Sequence, residues 1–280
     1  MKNITGEEIT YAVSNAFKRA NVDIPASIEE KICNNIMIES GDTPKAILKQ
    51  IADNYELARK DRLPLCQDCG MAIVFAEVGQ EVYIKGDFEN AVQEGIRKAY
   101  TEYYLRKSVV KDPIFDRSNT EDNTPGIIYT RLIPGDQLKI TVAAKGFGSE
   151  NCSNVRMFLP ADTIDDIKEY IVETVKQAGP NTCPPVIVGV GIGGTMDKAA
   201  VMAKQATIRD ISIRNSDIRY EKLENEILQM INRTGIGPGG FGGRTTALAV
   251  NIEQYATHIA SVPVAVNLCC HVSRHAAVIL

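Results

Sequence analysis

The chain has 280 residues, with 31 Lys and Arg against 35 Asp and Glu, for a formal charge of −4. That balance offers no basic excess for a nucleic-acid partner, and no apolar run approaches the ~20 residues that span a bilayer. The opening MKNITGEEITYAVSNAF lacks the apolar core of a secretory signal, so a cytoplasmic protein is expected, with no nucleic acid and no membrane among its partners.

In chain order, roughly the first sixty residues are expected to be helical. Ser27 and Glu30 form a capping box in S-I-E-E ahead of a periodic apolar run that places Cys33 in a core. Thr43-Pro44 sets an N-cap and a Pro at N1 before AILKQIADNYELARK, and the helices end at Pro64. MAIVFAEVG and EVYIKG read as a strand pair turning at Gly79-Gln80, and residues 87–108 as a long amphipathic helix. GIIYTRLI and QLKITVAAKG are strands joined by Pro134-Gly135-Asp136, preceded by a loop-like stretch over 112–126 long enough to suggest a function. A helix at about 161–178, the strand PVIVGVG, a helix from about Thr195, the helix KLENEILQMINRT and the runs TTALAVNIE and SVPVAVNL complete the pattern. The expected class is mixed α/β, a helical part at about 1–62 followed by a two-lobed α/β part at about 63–280 within one module.

Seven cysteines, an odd number in a chain of this size, do not suggest a disulfide framework. LPLCQDCG, residues 63–70, contains C-x-x-C, but a helix precedes it and a strand follows, the reverse of a thioredoxin-like setting. No second C-x-x-C or H-x-x-x-H completes a zinc knuckle, although zinc on a non-catalytic scaffold stays open. Cys183, in NTCPPVIVG, is fixed by two prolines at the entrance of an apolar strand, which suits a metal ligand as well as a small buried thiol. Of the adjacent Cys269 and Cys270, at most one can readily ligate the same metal. Three thiolates at Cys66, Cys183 and one of that pair are too few for a Cys₄ cluster, and a [4Fe–4S] group on three would keep one iron open as a Lewis acid.

Two glycine patterns allow other readings. Gly189–Gly194 fits G-x-G-x-x-G after a strand but lacks a convincing acidic residue about 20 positions on, so a nucleotide-binding oxidoreductase competes with a plain close backbone approach. GPGGFGGRTT is a near miss for a P-loop, with Arg244 in the lysine position, and its amides could still face a small anion. Arg106, in YYLRKS, reads as a solvated arginine or, by its bidentate fork, as a clamp for a carboxylate, and His258, in YATHIAS, as a hydrogen-bonded histidine.

Taken in order, PLCQDCG, AKGFGSEN, NTCPPVIVGVGIGG, GIGPGGFGGRTTALAVNIE, THIASVPVAVN and CCHVSRHA resemble the α component of class I, iron–sulfur fumarate hydratases, over nearly the whole chain. The resemblance implies a two-lobed α/β module enclosing a [4Fe–4S] cluster with three Cys ligands, Cys66, Cys183 and Cys270, and one open iron. It implies Asp68 as the catalytic acid/base, and Gln67, Arg106, Gly148 and His258 as substrate-binding residues. Phe147 departs from the glycine of that family's G-G-G-S. Single-chain relatives continue into a second domain, so a separate β subunit, an α2β2 assembly and a small dicarboxylate substrate are expected. The resemblance implies interconversion of fumarate and (S)-malate, with L(+)-tartrate dehydration to oxaloacetate as the alternative.

Overall fold

The computed structural model describes residues 2–280 and divides them into two compact units. Unit 1 holds the chain up to Ile24, Tyr55–Phe147 and Arg274–Leu280; unit 2 holds Pro25–Asn54 and Gly148–Ser273. The mixed α/β class is borne out.

In unit 1 a central strand, β2 (Met71–Gly79), pairs in parallel with β4 (Ile127–Ile133) and antiparallel with β5 (Leu138–Lys145). β10 (His275–Ile279) adds to the far side of β5. Helices α1 (Gly6–Val22) and α4 (Phe88–Glu102) supply Ile9, Val13, Phe17, Val92, Ile96 and Tyr100 to the core over this sheet. The two helices approach closely because Gly95 has no side chain; a Cβ there would stand 2.7 Å from that of Val13. Thr5 and Glu8 close a capping box at the start of α1.

Unit 2 is a four-stranded sheet in the order β6 (Asn154–Phe158), β9 (Val262–Cys269), β7 (Val186–Gly193), β8 (Ala247–Tyr255). The β7 sequence VIVGVGIG alternates with period 2, and so serves two different faces. Val186, Val188, Val190 and Ile192 join a core with α6 (Ile164–Ala178) and α8 (Ile218–Asn232). On the opposite face Gly189 and Gly191 let α7 (Met196–Ala206) lie on the strand backbone: Cβ atoms there would stand 2.1 Å from Ala203 O and 2.0 Å from Ala199 O. The G-x-G-x-x-G match is thus strand packing.

Several expectations are corrected. β2 and β3 (Val82–Lys85) are both strands but form no hairpin, because β4 and β5 already occupy both edges of β2; β3 pairs instead with β1 (Lys2–Thr5), which the sequence reading did not include. The helix α2 (Ala26–Ile38) begins before Ser27 and has no side-chain cap, so the S-I-E-E box does not form. Cys33 is exposed, since α2 buries the stripe Ile28, Ile32, Asn35 and Cys33 sits about 100° round from Ile32. α3 (Asp42–Asp61) begins before Thr43, and α4 stops at Glu102, beyond which Tyr104 turns left-handed at φ 55°.

The Gly-rich loop is shaped by an internal carboxylate. Glu39, 4% exposed at the end of α2, accepts from Ser40 N at 2.8 Å, Arg244 N at 2.7 Å and Thr245 N at 2.9 Å. The backbone amides that an incoming anion would need at Arg244 and Thr245 are therefore already taken. Burial alone would raise the Glu39 carboxyl; the amides of Arg244, Ser40 and Thr245 and the Thr245 hydroxyl outweigh that and hold it below the ordinary range.

Two predictions follow from these contacts. Gly191→Ala forces a methyl into the α7 backbone and should cost about 1–3 kcal/mol or more, whereas Gly6→Ala, whose Cβ would meet nothing nearer than 3.6 Å, should leave the thermal midpoint within about 2 °C. Glu39 stabilises the fold above the unfolded glutamate value of about 4.3, and that contribution is lost as pH falls through the lower folded value. Glu39→Gln should therefore unfold at lower temperature than wild type at pH 7, with the gap shrinking below about pH 4; a gap independent of pH would contradict this role.

Candidate active site

The CQDCG turn, Cys66–Gly70, is built into unit 1 by main-chain contacts. Leu65 N donates to Asn21 O at 2.8 Å just before it. Tyr100 Oη, fully buried, donates to Cys69 O at 2.8 Å, and Asn123 Nδ2 to Gly70 O at 3.1 Å. Gly70 takes φ +73°, and a Cβ would stand 2.7 Å from the carbonyl carbon of Ala144, so only glycine fits.

Within this turn Asp68 is held from both sides. Oδ1 accepts from Gly70 N at 2.9 Å and Oδ2 from Phe147 N at 2.9 Å. Arg274, 3% exposed, donates from Nη1 to the Asp68 carbonyl. The second cysteine is bonded as well: Arg106 N donates to Cys69 Sγ at 3.1 Å, which ties the loop after α4 to the turn. Burial pushes the Cys69 thiol up, so it is a neutral packing group. Gln67 and the Arg106 side chain are exposed, Cys66 and Asp68 half-buried. The structure thus brings Cys66, Gln67, Asp68 and the Arg106 backbone to one place in unit 1.

In unit 2 a second group forms at one end of the sheet. Cys183, exposed and left-handed at φ 51°, precedes β7; Cys270, half-buried, follows β9. β7 and β9 run antiparallel with Ile187 opposite Cys269, so the two thiols share a sheet end. Cys269 is 7% exposed and spends itself in the strand, which leaves Cys270 the more accessible of the pair. Gly148 joins them on the short helix α5 (Phe147–Glu150): a Cβ there would sit 3.4 Å from Asn181 O, two residues before Cys183. α5 is anchored to β9 because Asn267 Nδ2 donates to Glu150 Oε2 at 2.9 Å, and Lys204 of α7 pairs with the same carboxylate. The Gly-rich loop backs the Cys183 turn, with Gly239 N donating to Pro184 O at 2.8 Å.

His258 is not brought to that group. It lies exposed in the β8–β9 connection, its Nδ1 accepting from Ala260 N at 3.2 Å, at the opposite end of β9 from Cys270. An eight-residue strand spans about 25 Å. Among the described residues no three His, Cys, Asp or Glu side chains gather as a metal site, and no helix is long and apolar enough to cross a membrane.

The model of the fumarate hydratase (fumerase) family matches residues 10–279. The chain belongs to this family. A relative from Methanocaldococcus jannaschii, provisionally named an L(+)-tartrate dehydratase subunit alpha, is 36% identical over 274 residues, covering 96% of each chain. L(+)-tartrate dehydratase α subunits of Escherichia coli K12 and Shigella sonnei are each 28% identical over 271 residues, covering 95% of this chain and 89% of theirs. As a member of the fumarate hydratase family, the chain is of a hydro-lyase type.

Arg274, Glu150 and Asn267 were not singled out from the sequence. Glu150 and Arg274 lie in the G-S-E-N and C-C-H-V-S-R-H-A segments, but neither segment shows which polar residues are buried. For Cys69, Cys69→Ser keeps an acceptor for Arg106 N and should retain activity within a few-fold. Cys69→Val leaves that amide unpaired, at a cost of about 1–3 kcal/mol, and should raise KM if Arg106 holds substrate. Steady-state kinetics and thermal midpoints of the two variants check this, and equal behaviour would contradict it.

Proposed function

We propose that this chain is the cluster-bearing α subunit of a two-component hydro-lyase that removes water from a 2-hydroxy dicarboxylate, with L(+)-tartrate the preferred substrate and the malate–fumarate pair the second reading. The observation that carries the hydro-lyase reading is the CQDCG turn, which sets a thiol two residues from a carboxylate held by two backbone N–H groups. The relatives' names move the preference from fumarate, expected from the sequence, to tartrate; the family description keeps fumarate as the second reading.

Dehydration requires a base for the C–H proton, help for a poor leaving group, and cations for two carboxylates. Cys66, Cys183 and Cys270 would hold an iron–sulfur group: none is in a disulfide, Cys66 lies in the turn before β2, and Cys183 and Cys270 flank one end of the unit 2 sheet. When bound, a [4Fe–4S] cluster with one open iron supplies Lewis-acid assistance to the departing hydroxyl. Asp68 exchanges the proton with substrate or leaving group, and its fixed carboxylate reduces the reorganisation needed in the transition state. Gln67 and the exposed Arg106 side chain hold one substrate carboxylate, Arg by its bidentate fork. The Gly148 amide offers a further donor beside the Cys183 turn. His258, in the β8–β9 connection, is proposed as a further substrate-binding group, as the family resemblance implies. The relatives' designation as α subunits supports a β partner, for which we propose an α2β2 assembly.

The test is anaerobic co-expression with the β partner and comparison of L(+)-tartrate dehydration with fumarate hydration. Tartrate should turn over with the higher kcat/KM, and Asp68→Asn should lower kcat by about 10²–10⁴-fold. A higher kcat/KM for fumarate selects the second reading, and inactivity on both overturns the proposal.

A further inference from the structure

Arg274 is a charged side chain placed where charge is costly. It is 3% exposed, at the head of β10, where its own carbonyl accepts from Ala144 N at 2.9 Å. A buried guanidinium is tolerated only where it is well bonded, yet its Nε is buried and has no partner among the described residues. Its Nη1 donates to the carbonyl oxygen of Asp68, a main-chain group. The open hydrogen face of Gly146 shows where the rest of the guanidinium lies. A Cβ built there would stand 3.2 Å from Arg274 Nη2 and also 3.2 Å from Asp68 Oδ2. The guanidinium and the carboxylate therefore border the same small space, into which a side chain at position 146 would press.

We propose that Arg274 is a positioning residue for Asp68. It grips the Asp68 carbonyl, and its charge faces the carboxylate across Gly146. Together with the Gly70 and Phe147 amides it fixes both the backbone and the side chain of one residue, so the carboxylate presents a single orientation. Methionine is close in length and apolar, so Arg274→Met removes the grip while filling the volume. This inference rests on the reading of Asp68 as the acid/base, and its test separates the two.

The experiment is a double-mutant cycle on the co-expressed α and β pair, with Asp68→Asn, Arg274→Met and the double variant, together with hydrogen exchange on the α chain. Arg274→Met should lower kcat by about 10–100-fold with KM within about 2-fold, and should cost less than about 3-fold more in the Asp68→Asn background, because residues acting as a unit are not additive. Arg274→Lys, which keeps a donor and a charge, should recover much of the rate. Deuterium uptake at the Gly70 and Phe147 amides should rise in Arg274→Met while the α1 and α4 amides stay protected. Losses that multiply in the double variant, or unchanged exchange at Gly70 and Phe147, would overturn the proposal. The exchange measurement decides it even if the wild-type pair dehydrates neither substrate, a result that would sink the functional reading alone. If Arg274→Met does not fold, Arg274→Gln, which stays polar but loses the charge and the reach, is read by the same cycle and the same two amides.

Discussion

Backbone-to-backbone contact between α7 and β7 is the constraint on which unit 2 is built. Gly189 and Gly191 remove the side chains that would hold a helix at its normal distance from a sheet, and Ala199, Ala203 and Ala265 continue the thin interface. Here the strand backbone meets the helix carbonyls directly. With its valines on one face and glycines on the other, β7 cannot slip by one residue without putting valines against α7 and glycines against α6 and α8. That locked register fixes where β7 begins, and so where Cys183 stands relative to the end of β9 and Cys270.

Two internal carboxylates use one physical device in different places. Asp68 fills a pair of backbone N–H groups from Gly70 and Phe147, and Glu39 fills those of Ser40, Arg244 and Thr245. Successive amides with no strand or helix partner must find an acceptor when buried. In each unit a side chain supplies it and freezes a glycine-bearing segment that would otherwise be loose. Glu39 is structural. Asp68 is half-buried, so the same bonds that shape the turn leave it within reach of small molecules.

Much of the fold was legible because it depends on periodicity. The strand β7 and the helices α6 to α8 were foreseen near their observed places, since their apolar residues follow periods of 2 or 3.6, and β8 and β9 fall on the runs TTALAVNIE and SVPVAVNL. The partners of β2 were not legible: a strand's period does not say which neighbour it has, and both its edges were taken by segments about 50 residues or more away. Cys33 was misread because a helix stripe is decided by about 100° of rotation, and one residue's shift moves a side chain from core to water. At the site, Cys66, Cys183 and Cys270 stood out by the Gly, Pro and polar residues around them. Arg274 did not, because an arginine in sequence carries no mark of its burial. His258 stood out from its flanking apolar runs, yet those runs are two different strands and the residue sits in the turn between them.

If Cys66, Cys183 and Cys270 ligate the proposed [4Fe–4S] group, Cys69 and Cys269 are left as packing residues. Iron and acid-labile sulfide per chain, measured after anaerobic reconstitution of the wild type and of single Cys→Ser variants, test that ligand set most directly. About four irons and four sulfides per chain are expected, with marked loss for Cys66→Ser, Cys183→Ser and Cys270→Ser and near-normal content for Cys69→Ser and Cys269→Ser. Full iron and sulfide in Cys66→Ser, Cys183→Ser or Cys270→Ser, or stoichiometric zinc in place of iron, would contradict it.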